Sequence, residues 1–497
     1  MRRAAAGVAA FAAGLALVAG CTSAGAPAGS SAPSTNGIGP ITFAIGKDDT
    51  GWLNPVIAGW NKDHPNQRVT LILLPEAAND QLAQLTANLQ ARSDEYDVID
   101  MDVIWTAEFA SNGWIIPLPA SEFPELKDFL KPAVETAMYQ GRLYAVPDYS
   151  NADLLYYRSD ILAKAGKRPP TTWAQLANLA ETVAPKYGLD GFAGTFAPYE
   201  GLTVNFAAAV QSAGGSILSD DGTKVTVNSP QALEGLDFLV NGFRQGWIPQ
   251  VALTYEEESA QNAFEAGKFL FLDDWPDVYA ALSVPGPANK VYGKFGVVAL
   301  PGPDGMGSGS LGGANLAISA YSQHQLTALH FIAYMTNLSN EEQMLEQGSF
   351  PPVWTQLYTD KSLTQRYGYL PVLEQAINSA QPRPAITNYD QASLAISSAV
   401  YQALTDHEQP RQALAEMAGQ LAQIIRDGLP GLPDRVCLTG RGAGQAGPPL
   451  LLRNATTRIR RGVLDGSWEI AEGSSGMAAA SGGRGGCGGG AGAGGVQ

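Results

Sequence analysis

The sequence predicts an α/β protein built around parallel strands. Three observations carry that reading. Strand and helix signals alternate at lengths that suit right-handed strand–helix–strand units. The alternation restarts near Asn151 as a second α/β region. The stretch between the two unusual ends of this 497-residue chain is long enough for two large domains with their own cores.

The elements follow in order. Ile41 to Ile45 reads as a first strand, Pro55 to Asp63 as a helix and Val69 to Leu74 as a second strand. Between Asn79 and Arg92, Leu82, Leu85 and Leu89 recur at helical spacing, so one face is buried. Asp97 to Ile104 reads as a buried strand that Trp105 continues into a helix. In the second region Leu154 to Tyr157 is a short strand and Trp173 to Val183 a helix. Ser229 before Pro230 is an N-cap with proline at the first helical position. Leu233, Leu236, Leu239 and Phe243 follow at helical spacing, and Gly246 ends the run. Ala260 to Gly267 starts another helix, and Lys268 to Leu272 is a strand running into Asp273, Asp274 and Trp275. Gly312-Gly313-Ala314-Asn315 reads as a tight turn before a strand. After Ala314 the chain is expected to be mostly helical to about Leu429, broken by Pro351-Pro352 and Pro382.

The ends differ from the body. Arg2 and Arg3 precede a short apolar run, Ala4 to Val18, which is too short to span a bilayer comfortably and reads as an export signal. Leu17-Val18-Ala19-Gly20-Cys21 resembles a bacterial lipobox, which makes Cys21 the expected site of lipidation. A plain secretory signal with an incidental cysteine is the alternative. Thr22 to Asn36, rich in Ser, Ala, Pro and Gly, reads as a flexible tether. From residue 430 onward the chain is rich in glycine and arginine, with almost nothing to bury, and reads as a disordered tail.

Composition removes several classes of function. The net charge of −16, with no basic cluster in the body, argues against nucleic acid. Of three cysteines, Cys437 and Cys487 lie in the tail, so the body has no thiol nucleophile and no disulfide. His64, His324, His330 and His407 lack ligand spacing, so no metal site or Ser-His pair is expected. An exported chain also has no supply of ATP or NAD, and no cofactor is expected.

Some residues could still carry chemistry. Asp102 ends a predicted parallel strand, where ligands of open α/β sheets bind; it could accept bonds from vicinal hydroxyls, or cap the turn from Trp105 to Glu108. Trp275 follows two aspartates at a strand end and precedes Pro276, which suggests a pocket wall able to stack on a sugar ring. Glu256-Glu257-Glu258 and Asp273, Asp274 and Asp277 could supply a glycosidase carboxylate pair, or be solvated loop and cap residues. Arg383 sits between Pro382 and Pro384, so its rigid fork is held for hydroxyls or a carboxylate, or for a surface salt bridge. Losing it is expected to weaken binding with little effect on stability.

Several segments resemble the extracellular solute-binding proteins of family 1, the sugar receptors of ABC importers. They are Asp97-Val98-Ile99-Asp100-Met101-Asp102-Val103-Ile104-Trp105-Thr106-Ala107-Glu108-Phe109, Gly113-Trp114, Tyr144-Ala145-Val146-Pro147, Leu154-Leu155-Tyr156-Tyr157-Arg158, Ser212-Ala213-Gly214-Gly215, Ala263-Phe264-Glu265-Ala266-Gly267-Lys268, and the run from Gly312 to Ser319. The resemblance covers about Gly37 to Leu429 and is nearest to actinobacterial trehalose-binding lipoproteins. It implies a two-lobed periplasmic-binding-protein fold (type II, cluster D-like), with crossing hinge strands and the ligand in the interlobe cleft. The implied division is 1–20 signal, 21–37 lipidated cysteine and tether, 38–148 plus 274–312 first lobe, 149–273 plus 313–429 second lobe, and 430–497 tail.

The resemblance further implies Asp102, Asn151, Glu257, Trp275, Gly313 and Arg383 as ligand-binding residues, with Arg383 reaching in from the second lobe. The implied ligand is a disaccharide, trehalose or a related α-glucoside. The implied partners are permease subunits with a cytoplasmic ATPase, and a membrane reached through the lipid; the chain would be monomeric and carry out no covalent chemistry. Flanking residues depart from the trehalose type: Asp148-Tyr149-Ser150 precedes Asn151, and Asp273-Asp274 precedes Trp275. The alternatives are a receptor for a non-sugar polyol such as a glycerophosphodiester, and a lipid-anchored glycan-active enzyme.

Overall fold

A computed structural model describes residues 37–47, 51–75 and 77–428. The expectations for Cys21, the signal, the tether and the tail lie outside the described residues. Among the described residues twelve strands run in order: β1 (Ile41–Ile45), β2 (Val69–Leu73), β3 (Val98–Asp102), a small hairpin β4 (Met138–Tyr139) and β5 (Arg142–Leu143), β6 (Ala145–Ala152), β7 (Leu154–Arg158), β8 (Asp190–Ala193), β9 (Phe269–Asp274), β10 (Phe295–Ala299), β11 (Ser310–Ile318) and β12 (Gln381–Pro382).

Two sheets organise the molecule. The first has the order β12-β11-β3-β1-β2, with β6 also pairing β11; the second has the order β10-β7-β9-β8. In the first sheet β1 runs parallel to β2 and β3, as strand–helix–strand units require. β11 enters antiparallel to both β3 and β6. Helix Ala78–Gln90 buries Leu82, Leu85 and Leu89, the face that the sequence marks. Phe331 of helix Gln325–Met335 packs edge-on against Phe43 of β1 and Trp60 of helix Leu53–Asp63.

In the second lobe, Ser229 Oγ caps helix Pro230–Gln245 by accepting from Ala232 N at 3.1 Å, and Gly246 ends it with φ +81°. Helix Glu200–Ser212, buried at all but its last residue, packs against that helix and against helix Tyr389–Leu404. The sheets are joined where Asp153, the single residue between β6 and β7, takes the chain from one to the other. The chain returns between β10 and β11. Ser310 N donates to Asp153 Oδ2 at 3.1 Å, so the two crossings are tied together.

Three expectations are corrected. Gly312 and Gly313 form no turn: they lie within β11, and helices resume only at Gln325. The glycines are needed for close approach. A Cβ on Gly313, whose φ is +120°, would sit 2.2 Å from the Tyr149 carbonyl oxygen. The helix expected from Ala260 begins at Glu257, because Glu256 and Ser259 form a reciprocal cap. The lobe boundaries also differ from sheet membership. β10, expected in the first lobe, pairs with β7 in the second sheet, and β11 beyond Gly313 pairs with β3 in the first.

Candidate functional site

A cavity of about 260 Å³ opens between the two sheets. All six residues that the sequence singled out as ligand-binding line it: Asp102, Asn151, Glu257, Trp275, Gly313 and Arg383. They come from both lobes. Asp102 ends β3, Asn151 lies near the end of β6 and Gly313 in mid-β11, while Glu257 opens a helix of the second lobe and Trp275 follows β9.

Trp275 is held from two sides. Tyr156 Oη donates to its carbonyl at 2.8 Å, and its ring lies so close to Gly312 that a Cβ there would come within 2.8 Å of it. The Trp275 amide donates to Asp274 Oδ1 at 2.9 Å. Asp273 and Asp274 are therefore buried at a strand end, where burial pushes both carboxyls up, and neither is a solvated loop residue. Glu257 accepts from Tyr199 Oη at 2.5 Å; burial pushes its carboxyl up to about 7 against the opposing effect of that hydrogen bond.

Asp102 does both things that its position allows. Its Oδ1 accepts from Ile104 N at 3.2 Å, capping the turn Val103–Trp105, and its carboxylate also receives Arg383. Arg383 differs most from expectation. It is 2% exposed, so it is no surface ion pair, and it follows β12, which pairs with β11 of the first sheet at the crossing. Its Nη2 donates to Asp102 Oδ1 and Oδ2 at 3.0 and 3.3 Å, and its Nη1 donates to Glu200 Oε1. Asp102 belongs to the first sheet and Glu200 to a helix of the second lobe, so one guanidinium ties the lobes together. Tyr389 Oη, at 2.6 Å, and Ser393 Oγ also donate to Glu200. The neighbouring carboxylates hold the Arg383 guanidinium above its ordinary range, against the opposing effect of its burial.

Other wall residues were given no ligand contact from the sequence: Asp100, Asp148, Glu200 and Asp277 among the acids, of which Asp277 was weighed only as a glycosidase carboxylate and Asp148 only as a flank of Asn151, and Trp52, Trp105, Tyr149 and Phe350 among the aromatics. Asp100 could have been found, because it shares a strand face with Asp102 two residues on. Glu200 carries no local signal, since only tertiary packing brings it to Arg383. Several polar atoms of the wall are buried with no hydrogen-bond partner among the described residues: Asn151 Oδ1, Asp100 Oδ1, Asp148 Oδ2 and Arg383 Nε.

Residues 45–342 match the family model described as bacterial extracellular solute-binding protein. The chain belongs to that family. Its members bind solutes and are not enzymes, which removes the glycosidase reading of the acidic clusters. One relative of this solute-binding protein is a "Probable ABC transporter-binding protein" of Deinococcus radiodurans, 34% identical over 73% of this chain and 88% of its own length. Among solved structures, maltose-bound MalE3 of T. maritima superposes with a TM-score of 0.73 at 29% identity, over 78% of this chain and 99% of its own. A Thermotoga lettingae solute-binding protein bound with α-D-tagatose, 23% identical, shares the fold with a TM-score of 0.71 over 78% of this chain and 100% of its own. The two-lobed fold is thus that of the sugar-binding neighbours. Among the described residues no helix is long and apolar enough to cross a membrane.

Proposed function

We propose that this solute-binding protein is the receptor of an ABC importer for a neutral disaccharide, trehalose or a related α-glucoside, which it captures between its lobes and hands to the permease. The observation that carries the reading is the set of unpartnered buried polar atoms on the cavity wall, beside an indole ring backed by Gly312. A buried polar group left unpaired costs roughly 1–3 kcal/mol, so the wall favours a ligand dense in hydroxyls. Most of the unpartnered atoms are acceptors, which hydroxyl donors satisfy. Trp275 offers a face for a pyranose ring. The maltose held by the T. maritima relative supports the same ligand class.

In this reading Asp102, Asn151, Glu257 and Arg383 bind hydroxyls, Gly313 presents its backbone at the cavity wall, and lobe closure needs no covalent chemistry. Cys21, in its lipobox-like segment, would anchor a monomeric receptor to the outer face of the membrane. A glycerophosphodiester fits less well. The wall is rich in carboxyl groups, and the Arg383 guanidinium is already shared between Asp102 and Glu200.

The test is calorimetric titration with trehalose, maltose, sucrose and glycerophosphocholine. Saturable binding of one disaccharide is the expected result. Heat from the phosphodiester alone would keep the fold and overturn the ligand class.

A further inference from the structure

β11 is flanked by carboxyl groups on both sides. On one side Asp102 of β3 lies opposite Ala314 and Asp100 opposite Leu316. On the other side the register of β6 slips: Tyr149 lies opposite Ala314 and Pro147 opposite Asn315, so Asp148 is the extra residue of a β-bulge. A bulge turns a side chain out of the regular alternation, and bulges recur beside functional sites. Here it brings the side chain of Asp148 to the cavity wall that Asp100 also lines. Asp148 is 2% exposed and Asp100 8%, and each has a carboxyl oxygen with no partner among the described residues. Two carboxyl groups buried in this way are costly unless a proton or a ligand compensates them.

We propose that Asp100 and Asp148 act as a proton-sharing carboxyl pair that reads adjacent hydroxyls of the bound ligand. With one proton between them, the pair offers both a donor and an acceptor and carries a single negative charge. A vicinal diol matches that set, because each hydroxyl can also donate and accept. A cationic ligand would instead require both groups to be ionised. This inference rests on the sugar reading of the cavity and adds to it the residues that distinguish a neutral diol.

The surroundings support a retained proton. Burial pushes Asp148 up to about 7, and burial together with Asp148 and Asp102 pushes Asp100 well above the carboxylate range. The other titratable neighbours are chiefly acidic. Asp102 lies on β3 and Tyr149 on β6. Glu341 comes from helix Leu338–Gly348, and its own raised carboxyl feels Asp148. Asp277 and the exposed Lys47 line the same cavity. Of the helices packed on β6, Leu370–Ser379 carries Glu374, while Lys131–Thr136 carries Lys131 and Glu135, which pair with each other at 3.3 Å on the surface.

The test is titration calorimetry of the full chain with trehalose and maltose near pH 6 and pH 8.5, each in two buffers of different ionisation heat. With one proton required, affinity should fall about tenfold per pH unit above the pair's titration, and about one proton should be taken up per sugar at the higher pH. Asp148→Asn, whose amide permanently offers a donor and an acceptor, should bind within about fivefold of wild type near pH 6 and lose the pH dependence. Asp148→Leu should lose at least about thirtyfold at an unchanged melting temperature, since it can pair with no hydroxyl. Binding that is flat with pH and takes up no proton would overturn the pair alone. So would tighter binding at the higher pH, or Asp148→Asn failing as badly as Asp148→Leu. Folded protein that binds neither sugar at either pH would overturn the sugar reading beneath it.

Discussion

Arg383 shows how far single residues can be read. Its flanking prolines and charge fork marked it in the sequence, and it does line the cavity. Its burial and its second partner, Glu200, did not show there, because a contact across 183 residues leaves no local pattern. The consequence concerns stability. Removing one member of a buried ion pair strands the other charges, at a cost of about 3–5 kcal/mol. Arg383→Ala is therefore expected to lower the melting temperature of the ligand-free protein substantially, contrary to the mild effect that the sequence implied. Thermal denaturation followed by circular dichroism checks this, and an unchanged midpoint would mean that Asp102 and Glu200 do not need the guanidinium. Asp102 and Trp275 were legible for a simpler reason: the ends of parallel strands are where such sheets present side chains to ligands.

At the scale of elements, the strands and helices of the first lobe were legible wherever periodicity was strong, as in Ala78–Gln90 with its leucine face. β11 was not. Its Gly312-Gly313 pair carries the local signature of a turn, yet β3 and β6 pair with it from either side and hold it extended. Tertiary pairing overrode local propensity there. The glycines let Tyr149, Asn151 and Trp275 crowd against the strand. Gly313→Ala should then destabilise the protein by roughly 2 kcal/mol or more, since a Cβ would overlap the Tyr149 carbonyl at a φ that L-residues avoid. A chemical-denaturation midpoint equal to wild type would show that β11 can shift to make room. The same strand explains the misplaced lobe boundaries: sheet membership is set by long-range pairing, which strand-by-strand reading does not resolve.

Across the whole molecule, buried carboxyl groups gather at the cleft and its hinge. Burial pushes Asp148, Asp153 and Glu257 up to about 7 and Asp277 to about 6, from ordinary values of 3.8 for the aspartates and 4.5 for the glutamate. A folded-state value above the unfolded one gives stability that is complete below the unfolded value and is lost as pH rises through the folded one. The ligand-free protein should therefore melt several degrees higher near pH 5 than near pH 8. Calorimetric scans across that window check the sign, and a midpoint that rises with pH would contradict it. The proposed function would put the ligand between the lobes, against Trp275. The most direct measurement is a parallel titration of wild type and Trp275→Ala with trehalose and maltose. Wild type should show one saturable site for at least one of the sugars, with a loss of about thirtyfold or more in a variant that still folds, because truncating an aromatic anchor of a binding site typically costs upward of about 2 kcal/mol. Equal affinity in the two proteins, or no sugar binding by folded wild type, would contradict it.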